Sequence, residues 1–109
     1  MNLRINKKKF IYLISPNKLT KNFNRNLKLI FETGKVSFFQ LRLKNHTFNE
    51  KIFIGKKIKN ICKKYKVKFL INDDPILALK LDADGCHLGQ KDMDIKEAKK
   101  IIGKKIIGI

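Results

Sequence analysis

The chain has 109 residues, with 26 Lys or Arg against 9 Asp or Glu, so its formal net charge is +17, and 43% of the residues are hydrophobic. This length suits one small domain or part of a larger one, and the apolar content excludes disorder caused by a lack of core residues. The longest uncharged apolar run, residues 10–14, is too short for a transmembrane helix or a signal peptide. We therefore predict a cytoplasmic protein with no membrane partner.

The positive charge raises the question of a nucleic-acid partner, because basic surfaces bind phosphates. Lys outnumbers Arg 23 to 3, although the guanidinium group is the one favoured for recognising phosphates and bases. Residues 1–71 carry a net charge of +17, whereas residues 72–109 have seven acidic and seven basic groups. We expect no nucleic-acid partner. The concentration of carboxylates after residue 71 indicates a metal site instead.

The elements follow in chain order after a basic N-terminal extension, residues 1–9. Short segments rich in β-branched and aromatic residues predict five strands, at 10–15, 36–43, 67–71, 84–88 and 106–109. Helical periodicity predicts four helices between them, at 23–31, 48–65, 75–81 and 95–102. Strict alternation of strand and helix is typical of an α/β fold with a parallel sheet. We treat residues 1–109 as one partial domain.

The last predicted strand coincides with the end of the sequence, at Ile109. An apolar strand left at the edge of a parallel sheet favours association with another chain. We therefore expect a truncated chain or half of an eight-stranded barrel, and self-association of the chain through that edge.

Several carboxylates have structural explanations. Thr47 and Glu50 form the pattern of a capping box at the start of the second helix. Asp74 precedes Pro75 as an N-cap, and Asp94 is a cap as well, while other acidic residues fall in turns. We leave these residues out of the candidate site. The residues left out with them are Asp82 and Asp84 in turns, His46 in a loop and His87 at a strand end.

Polar residues collect at the carboxyl ends of the predicted strands. Gln40, Arg42 and Lys44 alternate with Leu41 and Leu43, so the polar side chains share one face of the second strand. The third strand is followed by residues 72–74 and the fourth by residues 89–92. In a (β/α) barrel the carboxyl ends of the strands form the active-site mouth, so we expect these groups to converge there.

These residues provide two complementary kinds of ligand. Arg42 and Lys44 can hold a cluster of anionic oxygens, and Asp73 and Asp92 can hold a hard divalent cation through oxygen ligands. Together they suit a magnesium diphosphate. Cys62 and Cys86 fit no common zinc spacing, and the sequence contains no phosphate-binding loop of the nucleotide-binding proteins.

Three blocks of the sequence, 39–44, 69–73 and 83–92, resemble the first half of the thiamine-phosphate synthase family in order and spacing. The resemblance implies a (β/α)8 TIM barrel, of which this chain covers about the first five strands and four helices. It also implies a transferase that joins hydroxymethylpyrimidine diphosphate to hydroxyethylthiazole phosphate, giving thiamine phosphate and pyrophosphate, with Mg²⁺ as cofactor. Both substrates are small molecules.

By the same resemblance, Gln40, Arg42, Lys44 and Asn72 correspond to the positions that bind the pyrimidine diphosphate. Arg42 and Lys44 would also stabilise the charge on the leaving group, and the two magnesium ligands would be Asp73 and Asp92. The family's ligands for the thiazole phosphate would lie beyond Ile109. The chain by itself is then expected to be an inactive fragment.

Two alternative functions stay open. The thiazole tautomerase branch of the same superfamily resembles the synthase but needs no magnesium diphosphate site. A non-catalytic remnant that binds a polyanion through its positive charge is the second alternative.

Overall fold

The structure, a computed structural model, describes residues 2–5, 11–88 and 106–108. These residues form six strands and three helices. The strands are β1 (Asn2–Ile5), β2 (Ile11–Ile14), β3 (Val36–Leu41), β4 (Lys68–Asn72), β5 (Gly85–His87) and β6 (Ile106–Gly108). The helices are α1 (Phe23–Phe31), α2 (Phe48–Lys64) and α3 (Pro75–Lys80).

The strands form one sheet in the order β1-β2-β3-β4-β5-β6, and β2 to β6 are parallel. A helix separates each pair of successive strands from β2 to β5, as a parallel sheet with crossover connections requires. The predicted α/β class, the five parallel strands and the first three helices are confirmed. The predicted fourth helix, at 95–102, lies outside the described residues.

The N-terminal segment differs from the prediction, which placed no strand in residues 1–9. β1 pairs antiparallel with β2, so that Leu3 faces Leu13 and Ile5 faces Ile11. Four residues of alternating polar and apolar type are too few for periodicity to identify, and three lysines follow closely. β1 occupies the edge of β2 that β3 leaves free.

The core lies between the helices and one face of the sheet. The ring of Phe39 contacts the rings of Phe23 and Phe31 at centroid distances of 6.1 and 6.0 Å, which places α1 against this face. Phe39 pairs with Phe69 across the parallel ladder, and both are fully buried. Leu41 and its partner Ile71 are buried on the same face. This apolar face is the one that sequence alternation assigned to Leu41.

Local capping signals place the helix starts. Thr47 and Glu50 form the predicted capping box at α2, with the Thr47 N–H donating to the Glu50 carboxylate at 2.7 Å and the Glu50 N–H donating to the Thr47 hydroxyl at 3.1 Å. The bond from the Thr47 backbone holds the pKa of Glu50 below its usual value. At α3, the Asp74 carboxylate accepts from the Leu77 N–H at 2.9 Å, and Pro75 occupies the first helical position.

β3 ends earlier than the sequence predicts, at Leu41 and not at Leu43. The segment after β2 explains the difference. In a regular parallel ladder the Arg42 N–H would donate to the Ser15 carbonyl, but it donates to the Ser15 hydroxyl instead, at 2.8 Å, so the backbone ladder between β2 and β3 stops here. Lys44 therefore lies beyond the strand and not on it, although Leu43 remains buried as alternation predicts.

None of the helices in residues 2–5, 11–88 and 106–108 is long and apolar enough to cross a membrane.

Gly55 allows a close approach between α2 and the end of α3. A Cβ atom at this position would lie 2.5 Å from Leu81 Cδ1, and Leu81 is itself 3% exposed. Because Leu81 has little room to move, we expect Gly55→Ala to lower the free energy of unfolding by about 1 kcal/mol, despite the better helix propensity of alanine. Urea denaturation would measure this. Asn60→Ala, at an exposed position of α2, is the control and should not destabilise; equal behaviour of the two variants would contradict the contact.

β1 shields the edge of a parallel sheet, and exposed strand edges pair with other chains. We expect deletion of residues 1–9 to increase self-association of the chain, seen as concentration-dependent sedimentation. A variant with Lys7, Lys8 and Lys9 changed to Gln removes most of the same charge but keeps β1, and it should sediment as the parent does. The idea fails if the deletion variant and the parent sediment alike.

Candidate active site

The site is built on the sheet face opposite the helices. Gln40 lies level with Leu70, and Leu70 lies level with Gly85. One step further along the strands, Asn72 lies level with His87, and Arg42 follows the pair formed by Leu41 and Ile71. Alternation therefore puts Arg42, Asn72 and His87 side by side at the carboxyl ends of β3, β4 and β5. We call these three residues the polar row.

Gln40 lies one layer below the polar row and is oriented by a neighbour. It is 2% exposed, and its Nε2 atom donates to the Tyr12 hydroxyl of β2 at 2.8 Å. The Tyr12 ring in turn stacks on Phe38 with a centroid distance of 5.7 Å. This contact holds the Gln40 amide group in place beside Tyr12.

Arg42 is half-buried at the end of β3. Its backbone N–H donates to the Ser15 hydroxyl at 2.8 Å. Its Nε atom is buried and has no hydrogen-bond partner among the described residues. Buried polar nitrogens without a partner are rare in folded proteins and often lie at functional sites. An anionic oxygen next to Arg42 would supply the missing acceptor.

Lys44 stands at the rim of the same end of the sheet. Its side chain is exposed, while its backbone N–H donates to the Asn17 carbonyl at 3.0 Å and its carbonyl lies 2.6 Å from His46 Nδ1. Both the N–H and the carbonyl of Lys44 therefore have contacts that hold its backbone. The ammonium group lies at the end of a long, flexible side chain, which can reach toward the carboxyl ends of the strands. Lys44 is therefore a loop residue at this end of the sheet, three positions after the end of β3.

Asp73 follows β4 with its backbone in the left-handed region, at φ 60°. The Asn72 amide donates to the Asp73 carboxylate at 3.0 Å, and the Asp73 N–H donates to the His87 carbonyl at 2.7 Å. Non-glycine residues in this region are uncommon, and Asp is among those that tolerate it best. The exposed carboxylate is thus anchored at the same strand ends as the polar row.

His87 was not chosen from the sequence, although the structure puts it in the polar row. Its Nδ1 atom is buried and has no hydrogen-bond partner in the part of the chain that is described. The feature that identifies His87 is the register between β4 and β5, in which His87 pairs with Asn72. A single strand read alone does not reveal that pairing.

The carboxylates assigned structural roles have them. Asp74 caps α3, and the Asp84 carboxylate accepts from the Phe69 N–H at 2.7 Å. Asp82 lies 3.7 Å from the Lys59 ammonium in an exposed ion pair. Asp94 lies outside the described residues.

The predicted metal ligands are described only in part. Asp92 lies outside the described residues, and residues 2–5, 11–88 and 106–108 hold no group of three His, Cys, Asp or Glu side chains that could bind a metal ion. Asp73 fits the way Mg²⁺ binds, through one or two carboxylates together with phosphate oxygens of a substrate. Burial, with the nearby negative charge of Asp84, raises the pKa of Cys62 to about 12, so this thiol stays protonated and does not suit zinc.

A lysine-rich cavity lies at the other end of the sheet, near the start of β4. It has a volume of about 420 Å³ and is lined by Lys59, Lys63, Lys66 and Lys68, together with Asp82, Asp84 and apolar side chains. Lys63 belongs to the last turn of α2, where cations offset the partial negative charge of the helix end. Lys59 pairs with Asp82, so two of the four lysines have a structural explanation, and the two carboxylates reduce the local charge.

Comparisons with known proteins all match proteins of one family. A family model described as thiamine monophosphate synthase matches residues 11–109. The chain is 65% identical over 103 residues to a thiamine-phosphate synthase of Pelagibacter ubique strain HTCC1062, covering 94% of this chain and 50% of the relative. It is 44% identical over 102 residues to that of Campylobacter jejuni strain 81-176, covering 91% and 48%.

Among solved structures, the chain is similar to a thiamine phosphate pyrophosphorylase from Pyrococcus furiosus, with a TM-score of 0.78 and 34% identity. The match covers 88% of this chain and 46% of that one. The chain spans about half the length of the curated relatives it matches.

Two adjacent aspartates should respond oppositely to substitution. Asp73 holds a left-handed conformation that glycine adopts without strain, so Asp73→Gly should leave the free energy of unfolding unchanged or raise it by up to about 1 kcal/mol. Asp74→Ala removes the N-cap of α3 and should lower that free energy by about 1 kcal/mol. Thermal denaturation of both variants is the measurement. Destabilisation of Asp73→Gly equal to that of Asp74→Ala would show that Asp73 is chiefly a structural residue.

Proposed function

The chain belongs to the thiamine monophosphate synthase family, and from this premise we propose that it carries the pyrimidine-diphosphate half of a thiamine-phosphate synthase. That enzyme would join hydroxymethylpyrimidine diphosphate to hydroxyethylthiazole phosphate and release pyrophosphate. The observation that carries the proposal is the polar row, with the partnerless Arg42 Nε, beside the anchored Asp73 carboxylate. A site of this kind combines a cation for phosphate oxygens with a ligand for their metal ion.

The roles follow from where charge develops. When the diphosphate leaves the pyrimidine methylene carbon, negative charge builds on the leaving oxygen and positive charge on the pyrimidine. Arg42 and Lys44, at the strand ends, would stabilise the departing diphosphate, and Gln40 and Asn72 would hold the pyrimidine diphosphate in place. The thiazole nitrogen then attacks the pyrimidine carbon, so no protein nucleophile is required.

Magnesium is part of the proposal. Asp73, and Asp92 as predicted from the sequence, would hold the ion beside the phosphate oxygens. When bound, the ion would neutralise charge on the leaving diphosphate. Asn72 donates to the Asp73 carboxylate and so helps to orient it.

Other parts of the proposal rest on the sequence. The thiazole phosphate site would require residues other than those described, so coupling of the two substrates is assigned to the complete barrel. A cytoplasmic location, two small-molecule substrates and no nucleic-acid partner remain predictions, as does inactivity of the 109-residue chain by itself. The tautomerase alternative does not call for a magnesium diphosphate site, and the polyanion alternative does not call for a buried Arg42 Nε that lacks a partner among the described residues.

Binding of the pyrimidine diphosphate to the 109-residue chain tests the proposal. We expect Lys44→Ala to weaken binding in the presence of Mg²⁺ about tenfold or more, since a charge-assisted bond to phosphate is lost, as measured by isothermal titration calorimetry. Lys56→Ala, at an exposed position of α2, removes the same charge elsewhere and should have little effect. Equal losses in both variants, with binding abolished by moderate salt, would support the polyanion alternative instead.

A conservative change at Asp73 tests the metal assignment. Asn keeps the shape of the side chain and tolerates the left-handed backbone, but it lacks the charge that Mg²⁺ prefers. We expect Asp73→Asn to keep the fold and to abolish the gain in diphosphate affinity that Mg²⁺ provides. The measurement is the affinity with and without Mg²⁺, and a full magnesium gain in Asp73→Asn would overturn the assignment.

A further inference from the structure

We propose that Ser15 is a positioning residue for Arg42, and that its hydroxyl takes the place of a backbone acceptor where the ladder between β2 and β3 ends. The inference rests on the proposed function, because Arg42 is there the cation for the diphosphate. Ser15 is 3% exposed and belongs to the turn after β2, so it is itself shielded from solvent.

The hydrogen bonds around Ser15 define this role. Its N–H donates to the Gln40 carbonyl at 2.9 Å, as expected for the next residue of a parallel strand. In a regular parallel ladder the carbonyl of the same residue would accept from the N–H of Arg42, two positions after Gln40. The Arg42 N–H instead donates to the Ser15 hydroxyl oxygen, at 2.8 Å. A side chain thus completes the ladder.

Proline constrains the chain directly after Ser15. The ring of Pro16 fixes its own φ and restricts the backbone conformation of Ser15. The Ser15 hydroxyl lies 3.2 Å from the Pro16 carbonyl and 3.5 Å from the Arg42 carbonyl, both of which can accept its proton. The hydroxyl therefore links the turn after β2 to the residue that enters the polar row.

The same turn holds the second cation. The Lys44 N–H donates to the Asn17 carbonyl at 3.0 Å, two residues after the contact made by Ser15. Arg42 and Lys44 are thus both attached through their backbones to the loop between β2 and α1. Of the two attachments, the one to Arg42 depends on a side chain and can be removed by substitution.

Loss of the hydroxyl has a local consequence. Without it, the Arg42 N–H loses its acceptor at the point where the chain leaves the sheet, and the backbone there is free to move. The Arg42 Nε atom is already buried without a partner in the described residues, so its placement relies on the backbone that carries it. Movement of the backbone would carry the guanidinium group away from the phosphate oxygens.

The experiment compares Ser15→Ala and Ser15→Thr in the 109-residue chain. Thr keeps the hydroxyl, and its β-branched side chain suits an extended backbone. With inorganic pyrophosphate and Mg²⁺ as the probe, we expect affinity to fall about tenfold in Ser15→Ala and to remain within about twofold of the parent in Ser15→Thr. Thr33→Ala, which removes an exposed hydroxyl bonded to the Ile30 carbonyl, is the matched control and should not change affinity.

A spectroscopic measurement separates positioning from stability. The Arg42 Nε–H resonance, assigned by comparison with Arg42→Lys, should shift in Ser15→Ala and stay at the parent position in Ser15→Thr and Thr33→Ala. Ser15→Cys keeps the volume of the side chain with a weaker acceptor and should behave as Ser15→Ala does. If Ser15→Ala and Ser15→Cys lower the melting temperature but leave both the resonance and the affinity unchanged, the proposal is wrong.

The two proposals can fail separately. If the parent chain does not bind pyrophosphate with Mg²⁺, the proposed function fails. The Arg42 resonance then still decides whether the Ser15 hydroxyl positions the side chain, because that measurement needs no ligand.

Discussion

Parallel pairing of β3, β4 and β5 is the constraint on which the site depends. Because Gln40 lies level with Leu70, one further step along the strands brings the polar row together. A slip of one residue would turn that row toward the helices and expose the apolar residues that α1 covers. Burial of Phe39 and its ladder partner Phe69 on the helix side therefore specifies the polar face as well. The register of β3, β4 and β5 therefore determines both which residues pack against the helices and which residues form the polar row.

The carboxyl end of the sheet carries features that do not serve stability. Two buried nitrogens there, Arg42 Nε and His87 Nδ1, lack partners among the described residues, and Asp73 has a left-handed backbone. Such features persist where the surrounding structure holds them in place, and they are common at binding sites. The Ser15 hydroxyl and the bond from Asp73 N–H to the His87 carbonyl are the local contacts that hold them. An anionic ligand would supply acceptors that the described residues do not.

The parallel strands and the three described helices could be predicted because each combines periodicity with a clear start or stop signal, such as Thr47 with Glu50 or Asp74 with Pro75. Gln40, Arg42 and Asn72 could also be assigned to one end of the sheet from alternation alone. β1 could not, since four residues carry too little periodicity. His87 and the early end of β3 depend on contacts between strands, and a single sequence does not contain the register that creates them.

The net charge of the chain does not account for its proposed chemistry. Many of the lysines lie on exposed helix surfaces or near the end of α2, where water and the helix dipole account for them. Selectivity for a diphosphate needs donors with a fixed direction, and in the proposed function these would come from the polar row at the ends of three consecutive strands. Their arrangement depends on register within this part of the sheet and, for Arg42, on the contact of its backbone N–H with Ser15. In the proposed function, capture of the diphosphate would therefore be separable from coupling, which also requires a second substrate held within reacting distance.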